Sequence, residues 1–109
     1  MSDYAIGPAS QIPAGEGRNF MVAERLIAVF RIRDGEMVAT QAECPHRRGP
    51  LADGPIDARV IVCPLHDHMF SMVTGAGIGN DCAITVYPVR VSGSGQIVLT
   101  IESDVEAVG

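Results

Sequence analysis

The amino-acid sequence predicts an all-β domain. Short apolar, β-branched runs alternate with Gly, Pro and Asp punctuation, and no segment sustains a helical period. The chain has 109 residues, 47% of them apolar, which suits one core and is too short for two. In chain order the predicted strands are Asn19 to Val22, Arg25 to Arg33, Glu36 to Gln41, Arg59 to Cys63, Met69 to Met72, Ala83 to Val91 and Gln96 to Ile101. Leu26 to Phe30 is apolar without alternation, which fits a buried central strand. Asp34-Gly35 tolerates positive φ at both positions and predicts a hairpin turn; Ser92 to Gly95 predicts another. Pro88 cannot donate to a ladder, so it marks a sheet edge or a kink. Around it, Val86, Pro88 and Arg90 share one face and Tyr87, Val89 and Val91 the other. Ala42 to Asp53 and Pro64 to His68 resist assignment as strands. From about Glu102 the chain reads as a frayed acidic tail on a single domain spanning 1–109.

Composition excludes several functions. The longest strongly apolar run, Leu26 to Phe30, is five residues, against roughly 20 for a membrane span. Met1-Ser2-Asp3-Tyr4 shows no basic segment leading into an apolar one, so the expected compartment is the cytoplasm. Thirteen acids face eight bases, all arginine, for a net charge of -5; an acidic surface disfavours nucleic acid. Arg47 and Arg48 are a local exception. No nucleophile elbow, P-loop or dinucleotide fingerprint is present, and Gly75, Gly77 and Gly79 precede no helix, so they read as a loop. The chain is therefore expected to have no catalytic site of its own.

Three cysteines make no disulfide framework and, beside histidines, point to metal or redox chemistry. Cys44-Pro45-His46 and Cys63-Pro64-Leu65-His66 form two matched pairs, with sixteen residues between His46 and Cys63. A proline follows each cysteine; it fixes φ and removes a donor, so each loop can hold a shape without ladder bonds. Facing each other, the loops would bring two thiolates and two imidazoles to one point. A structural zinc ion would use the same donors, although zinc pairs usually place two or more residues between ligands. Cys82 reads as a buried structural thiol. His68 reads as solvent-exposed, with a supporting role behind the ligands as the alternative.

C-x-H followed at this interval by C-x-x-H resembles the Rieske [2Fe-2S] pattern, and CPHRRGPLADG and CPLHDHMFSMVTG extend the resemblance across about Ile12 to Thr100. It implies a fold of antiparallel sheets with a small cluster-binding subdomain formed by loops 42–53 and 63–72. One [2Fe-2S] cluster is implied, with Cys44 and Cys63 on one iron and His46 and His66 on the other. Respiratory relatives carry an extra cysteine in each loop, where this chain has Gly49 and Leu65, so their disulfide is not expected. They also place a serine and a tyrosine, donors to sulfur, where His68 and Phe70 stand here. Lost donors and an acidic protein both disfavour the reduced cluster, so the expected potential is nearer about -150 mV than +300 mV.

The resemblance implies a one-electron carrier with a redox partner protein. Its nitrite-reductase branch is favoured by the non-glycine Asp67 after His66, by Cys82 ahead of Val86-Tyr87-Pro88-Val89, and by glycines in place of a proline-rich third loop. The expected role is thus the small subunit of an NAD(P)H nitrite reductase, beside a flavin and siroheme large subunit. A free Rieske ferredoxin, served by a ferredoxin reductase and feeding an aromatic-ring-hydroxylating oxygenase, is the alternative. A non-redox β module stapled by its metal is a third. Arg47, Arg48, Asp67 and His68 form the expected docking rim.

Overall fold

The apolar run at Leu26 to Phe30 does become a central strand. In the computed structural model, which describes residues 2–33, 35–43, 50–54, 56–57, 59–63, 68–79 and 82–101, it lies within β3 (Arg25–Arg31). This strand pairs antiparallel with β2 (Glu16–Val22) on one side and with β4 (Met37–Gln41) on the other. Ile27, Ala28, Val29 and Phe30 are all fully buried, because both faces of this sheet are covered. Strand alternation sorts them. Ile27 and Val29 join Met37, Ala39, Ile97 and Leu99 in one core. Ala28 and Phe30 join Val38, Leu51, Ile61, Cys63 and Phe70 in the other.

The first core lies against a three-stranded sheet ordered β1 (Ser2–Pro8), β11 (Gln96–Ile101), β10 (Val89–Val91). Asp3 pins its edge, accepting from Thr100 Oγ1 at 2.7 Å and Arg90 Nη2 at 3.2 Å. The Thr100 hydroxyl, followed by the Arg90 guanidinium, holds the Asp3 carboxyl below its ordinary range. The second core lies under a sheet ordered β5 (Ile56–Asp57), β6 (Val60–Val62), β7 (Met69–Ser71), β8 (Gly77–Ile78). The middle sheet is completed by β9 (Val86–Tyr87), paired with β4. Every strand pairing is antiparallel, and no α-helix occurs among the described residues.

Gly17 in β2 is where the middle sheet closely approaches the 3-10 turn Leu51–Asp53. It stands opposite Phe30, and a Cβ there would lie 2.6 Å from the Phe30 ring and 3.2 Å from the Ala52 carbonyl oxygen. The missing side chain is the space that the ring fills. Gly17→Ala is expected to cost about 1–3 kcal/mol by overpacking, read as a lower denaturation midpoint at unchanged slope.

The structure departs from the sequence expectations in instructive places. Ser2–Pro8 forms β1, unexpected from its Gly, Pro and Asp content, because its partner is at the far end of the chain (Asp3 opposite Thr100). Ala83 to Val91 is not one strand: β9 and β10 lie in different sheets and the chain switches at Pro88. The face assignment across that proline therefore fails, and Tyr87 and Val89 pack on the same core by different routes. Pro88 still accepts, from Thr100 N at 2.9 Å. The glycine stretch is not simply a loop, since Gly77 and Ile78 pair with Phe70 and Met69. Ser92 to Gly95 turns as expected, with Gly95 N donating to Ser92 O at 2.9 Å. Asp34 of the expected hairpin turn and the acidic tail from Glu102 lie outside the described residues.

Candidate metal centre

Both candidate ligand loops rise from one core, and backbone hydrogen bonds close each of them at its base. The first leaves β4 at Gln41. Ala42 is buried and its carbonyl accepts from Leu51 N at 3.0 Å, while Glu43 and Pro50 form an antiparallel bridge. A single 3-10 turn, Leu51–Asp53, then carries the fully buried Leu51 into the second core. The second loop leaves β6. Alternation sends Ile61 inward and Val62 outward, and so turns Cys63 inward. Cys63 is fully buried beside Leu51, Ala42 and Phe70 in that core, and its N–H donates to the His68 carbonyl at 2.8 Å. The loop therefore starts at a candidate ligand and ends at His68.

A third element pairs with β7, the strand that follows the second loop. After β7, Ser71 Oγ accepts from Val73 N at 3.2 Å and Thr74 N at 3.3 Å, a local serine turn that reverses the chain. Gly75 N then donates to Ser71 O, and Ile84 N donates to Gly75 O at 2.8 Å. Ala76 and Ala83 bridge, and Gly77 N donates to Cys82 O at 2.9 Å. Residues 75–79 and 82–84 thus pair with each other, and Gly77 and Ile78 with β7. Arg59 and Glu36 join the loop-bearing sheet to the β3–β4 connection through contacts of 2.8 and 3.2 Å, an exposed ion pair of small energetic weight.

Of the four expected ligands, Cys63 is described; Cys44, His46 and His66 lie outside the described residues, as do Arg47, Arg48 and Asp67 of the expected rim. Among the described residues no three His, Cys, Asp or Glu side chains gather into a metal group. Cys63 and Cys82 are not in disulfides. Cys82 is half-buried rather than buried and packs at the edge of the second core. His68 is half-buried rather than exposed, with its Nδ1 shielded from solvent, because its backbone closes the loop and holds the ring against the protein. Phe70 is fully buried and carries no hydroxyl. What sequence reasoning missed is Gln41, whose side chain accepts from Thr85 N at 2.9 Å and donates to Glu43 O at 2.7 Å. A lone glutamine at a strand end gives no signal of such a role.

The donor chemistry fits an iron–sulfur cluster. Each loop offers one thiolate and one imidazole, the two stems pack into a single core, and the described thiol is sheltered from water. The comparison with known families decides the matter: the Rieske [2Fe-2S] domain profile matches residues 2–90. The chain belongs to the Rieske [2Fe-2S] domain family. As a Rieske domain it binds one [2Fe-2S] cluster and is an electron carrier. It is 33% identical, over 88 residues, to the ferredoxin component of a naphthalene 1,2-dioxygenase system from Pseudomonas aeruginosa, covering 76% of this chain and 81% of that one. The ferredoxin of carbazole 1,9a-dioxygenase from Nocardioides aromaticivorans IC177 superposes with a TM-score of 0.83 at 25% identity, over 94% of this chain and 100% of that one. A Mycobacterium tuberculosis chain assigned as the small subunit of an NADH-dependent nitrite reductase superposes with a TM-score of 0.87. It is 19% identical, over 94% of this chain and 96% of that one, so the likeness shows the Rieske fold alone. No helix among the described residues of this Rieske domain is long and apolar enough to cross a membrane.

Proposed function

We propose that this Rieske carrier is a single-domain ferredoxin that delivers electrons to a ring-hydroxylating oxygenase. The observation that carries the reading is the 33% identity to a dioxygenase ferredoxin across three quarters of the chain. This reverses the ranking that the sequence features alone suggested. The nitrite-reductase reading keeps its own support in Asp67 after His66 and in the glycines of residues 75–79.

Cys44 and Cys63 are the thiolate ligands of one iron, and His46 and His66 are the imidazole ligands of the other. Bound there, the cluster takes up and releases a single electron. Val62, Met69 and Ile78 are cross-strand neighbours that bring apolar surface up to the second loop, with Met69 and Ile78 exposed. Phe70 offers no hydroxyl donor to a sulfur, and the protein is acidic. A redox titration is therefore expected to give a midpoint at the low end of the Rieske range, about -150 mV rather than +300 mV. A clearly positive midpoint would refute that inference.

The partner is tested by affinity capture of the tagged, anaerobically purified protein from its native extract. An iron oxygenase or a small flavin reductase in the eluate supports the ferredoxin reading. A large flavin- and siroheme-containing protein would replace it with the nitrite-reductase reading.

A further inference from the structure

The strongest unexplained polar arrangement near the loops is at the end of β4. Backbone pairing between β4 and β9 runs through Ala39–Tyr87 and Thr40–Val86, and Gln41 N still donates to Thr85 O at 3.0 Å. In a regular antiparallel rung Thr85 N would return its bond to the Gln41 backbone carbonyl. Here that carbonyl accepts instead from the hydroxyl of the fully buried Thr40, at 2.9 Å. The Gln41 side chain completes the rung: its Oε1 accepts from Thr85 N at 2.9 Å and its Nε2 donates to Glu43 O at 2.7 Å.

The same side chain thereby spans two parts of the site. On one side, Glu43 stands in the first-loop stem, directly before Cys44. Its carbonyl is the acyl half of the peptide bond to Cys44, and a planar peptide passes the orientation of one half to the other. On the other side, Thr85 follows Ile84, whose N–H binds the Gly75 carbonyl, and Gly75 N binds Ser71 O in β7. Polar links and single chain steps thus run from the strand of the second loop to the stem of the first, and Gln41 is the connection between them.

We propose that Gln41 is a positioning residue, whose carboxamide ties the first-loop stem to Thr85, in the segment linked to β7 after the second loop, and so sets the placement of Cys44 relative to Cys63. The inference rests on Cys44 being a cluster ligand. The chemistry is specific to this side chain, which must accept on one atom and donate on the other across a span that asparagine is too short to reach. Glutamate keeps the acceptor toward Thr85 but turns the Glu43 contact into a clash of two acceptors. Alanine removes both bonds.

The test compares wild type with Gln41→Glu, Gln41→Ala and Cys44→Ser as anaerobically purified, cluster-loaded proteins. The readouts are the electron paramagnetic resonance of the dithionite-reduced protein and the rate of iron loss to a chelator. Both Gln41 variants should show a shifted or broadened signal and lose iron about tenfold faster, the factor that one hydrogen bond of ordinary worth supplies. Arg31→Leu, which removes the side-chain bond to Ile12 O at the far end of β3 from the residue that pairs with Gln41, should lower stability and leave the signal unchanged. If Gln41→Ala fails to fold, Gln41→Glu decides alone. A wild-type signal and release rate in the Gln41 variants, with Cys44→Ser devoid of cluster, would overturn the cross-tie while leaving the ligands in place. A wild-type signal in Cys44→Ser would overturn the ligand assignment and the cross-tie with it.

Discussion

Cys63→Ser is expected to abolish the visible absorption of the protein and to lower its melting temperature by about 10 °C or more. Cys63 is fully buried at the junction of both loop stems, in one core with Ala42, Leu51 and Phe70. In its proposed ligand role it adds the binding free energy of the cluster to the folding free energy, because the unfolded chain does not assemble the site. A small domain has only about 5–15 kcal/mol of net stability, so losing even about 2–3 kcal/mol of that linkage is visible as a large thermal shift. His66→Ala should lose the same absorption while keeping every side chain of the described cores. The comparison separates the ligand role from packing. Cys82→Ser, at the half-buried edge of the same core, should keep the full spectrum. A Cys63→Ser protein that retained the wild-type spectrum would remove Cys63 from the ligand set, and a clusterless variant with an unchanged melt would show that the β core folds independently.

Gly75→Ala should be strongly damaging although it adds only one methyl group outside the proposed ligands. Gly75 sits at φ +82, a conformation that costs an L side chain about 1–2 kcal/mol. A Cβ would also collide with the backbone carbonyl oxygen of Ile84, which cannot swing aside as a side chain could. Its residue is held in place from both directions, since Gly75 N donates to Ser71 O and Gly75 O accepts from Ile84 N. Relief requires the pairing between residues 75–79 and 82–84 to open, losing hydrogen bonds that contribute about 1 kcal/mol each. We expect a total of about 3 kcal/mol or more, measured by denaturant unfolding, together with faster iron loss from the loaded protein. Gly79 offers the control. Its φ of +77 is similar, but among the described residues other than its chain neighbours no atom lies within 4 Å of its Cβ position. Gly79→Ala should therefore cost only the backbone term, and equal losses at the two positions would refute the steric account.

These two residues also illustrate what could be read from the sequence. The Rieske family was legible because metal chemistry restricts both residue type and spacing, so the proposed ligands Cys44, His46, Cys63 and His66 stand out in a chain with three cysteines and three histidines. Strand β3 was legible because a strand covered on both faces demands a continuous apolar run, and β11 because the centre strand of its sheet is buried along most of its length. Strand β1 was not, since its register with β11 is set by a partner nearly the whole chain away, and local propensity cannot express such pairing. β5 and β8 are two residues each and exist only as extensions of β6 and β7. The split of Ala83 to Val91 was half legible: Pro88 announced an interruption, but only the fold shows that the chain changes sheets there. Gln41 and Gly75 matter through one carboxamide and one absent methyl group, and both depend on neighbours brought together in three dimensions.

The central claim is that two loops rising from one core hold a [2Fe-2S] cluster through two cysteines and two histidines. Electron paramagnetic resonance of the reduced protein, combined with iron and sulfide analysis, tests it most directly. The account predicts about two irons and two sulfides per chain and a signal of mixed histidine and cysteine ligation, lost on Cys63→Ser and on His66→Ala. Stoichiometric zinc without iron, or a cluster signal indifferent to His66→Ala, would contradict it.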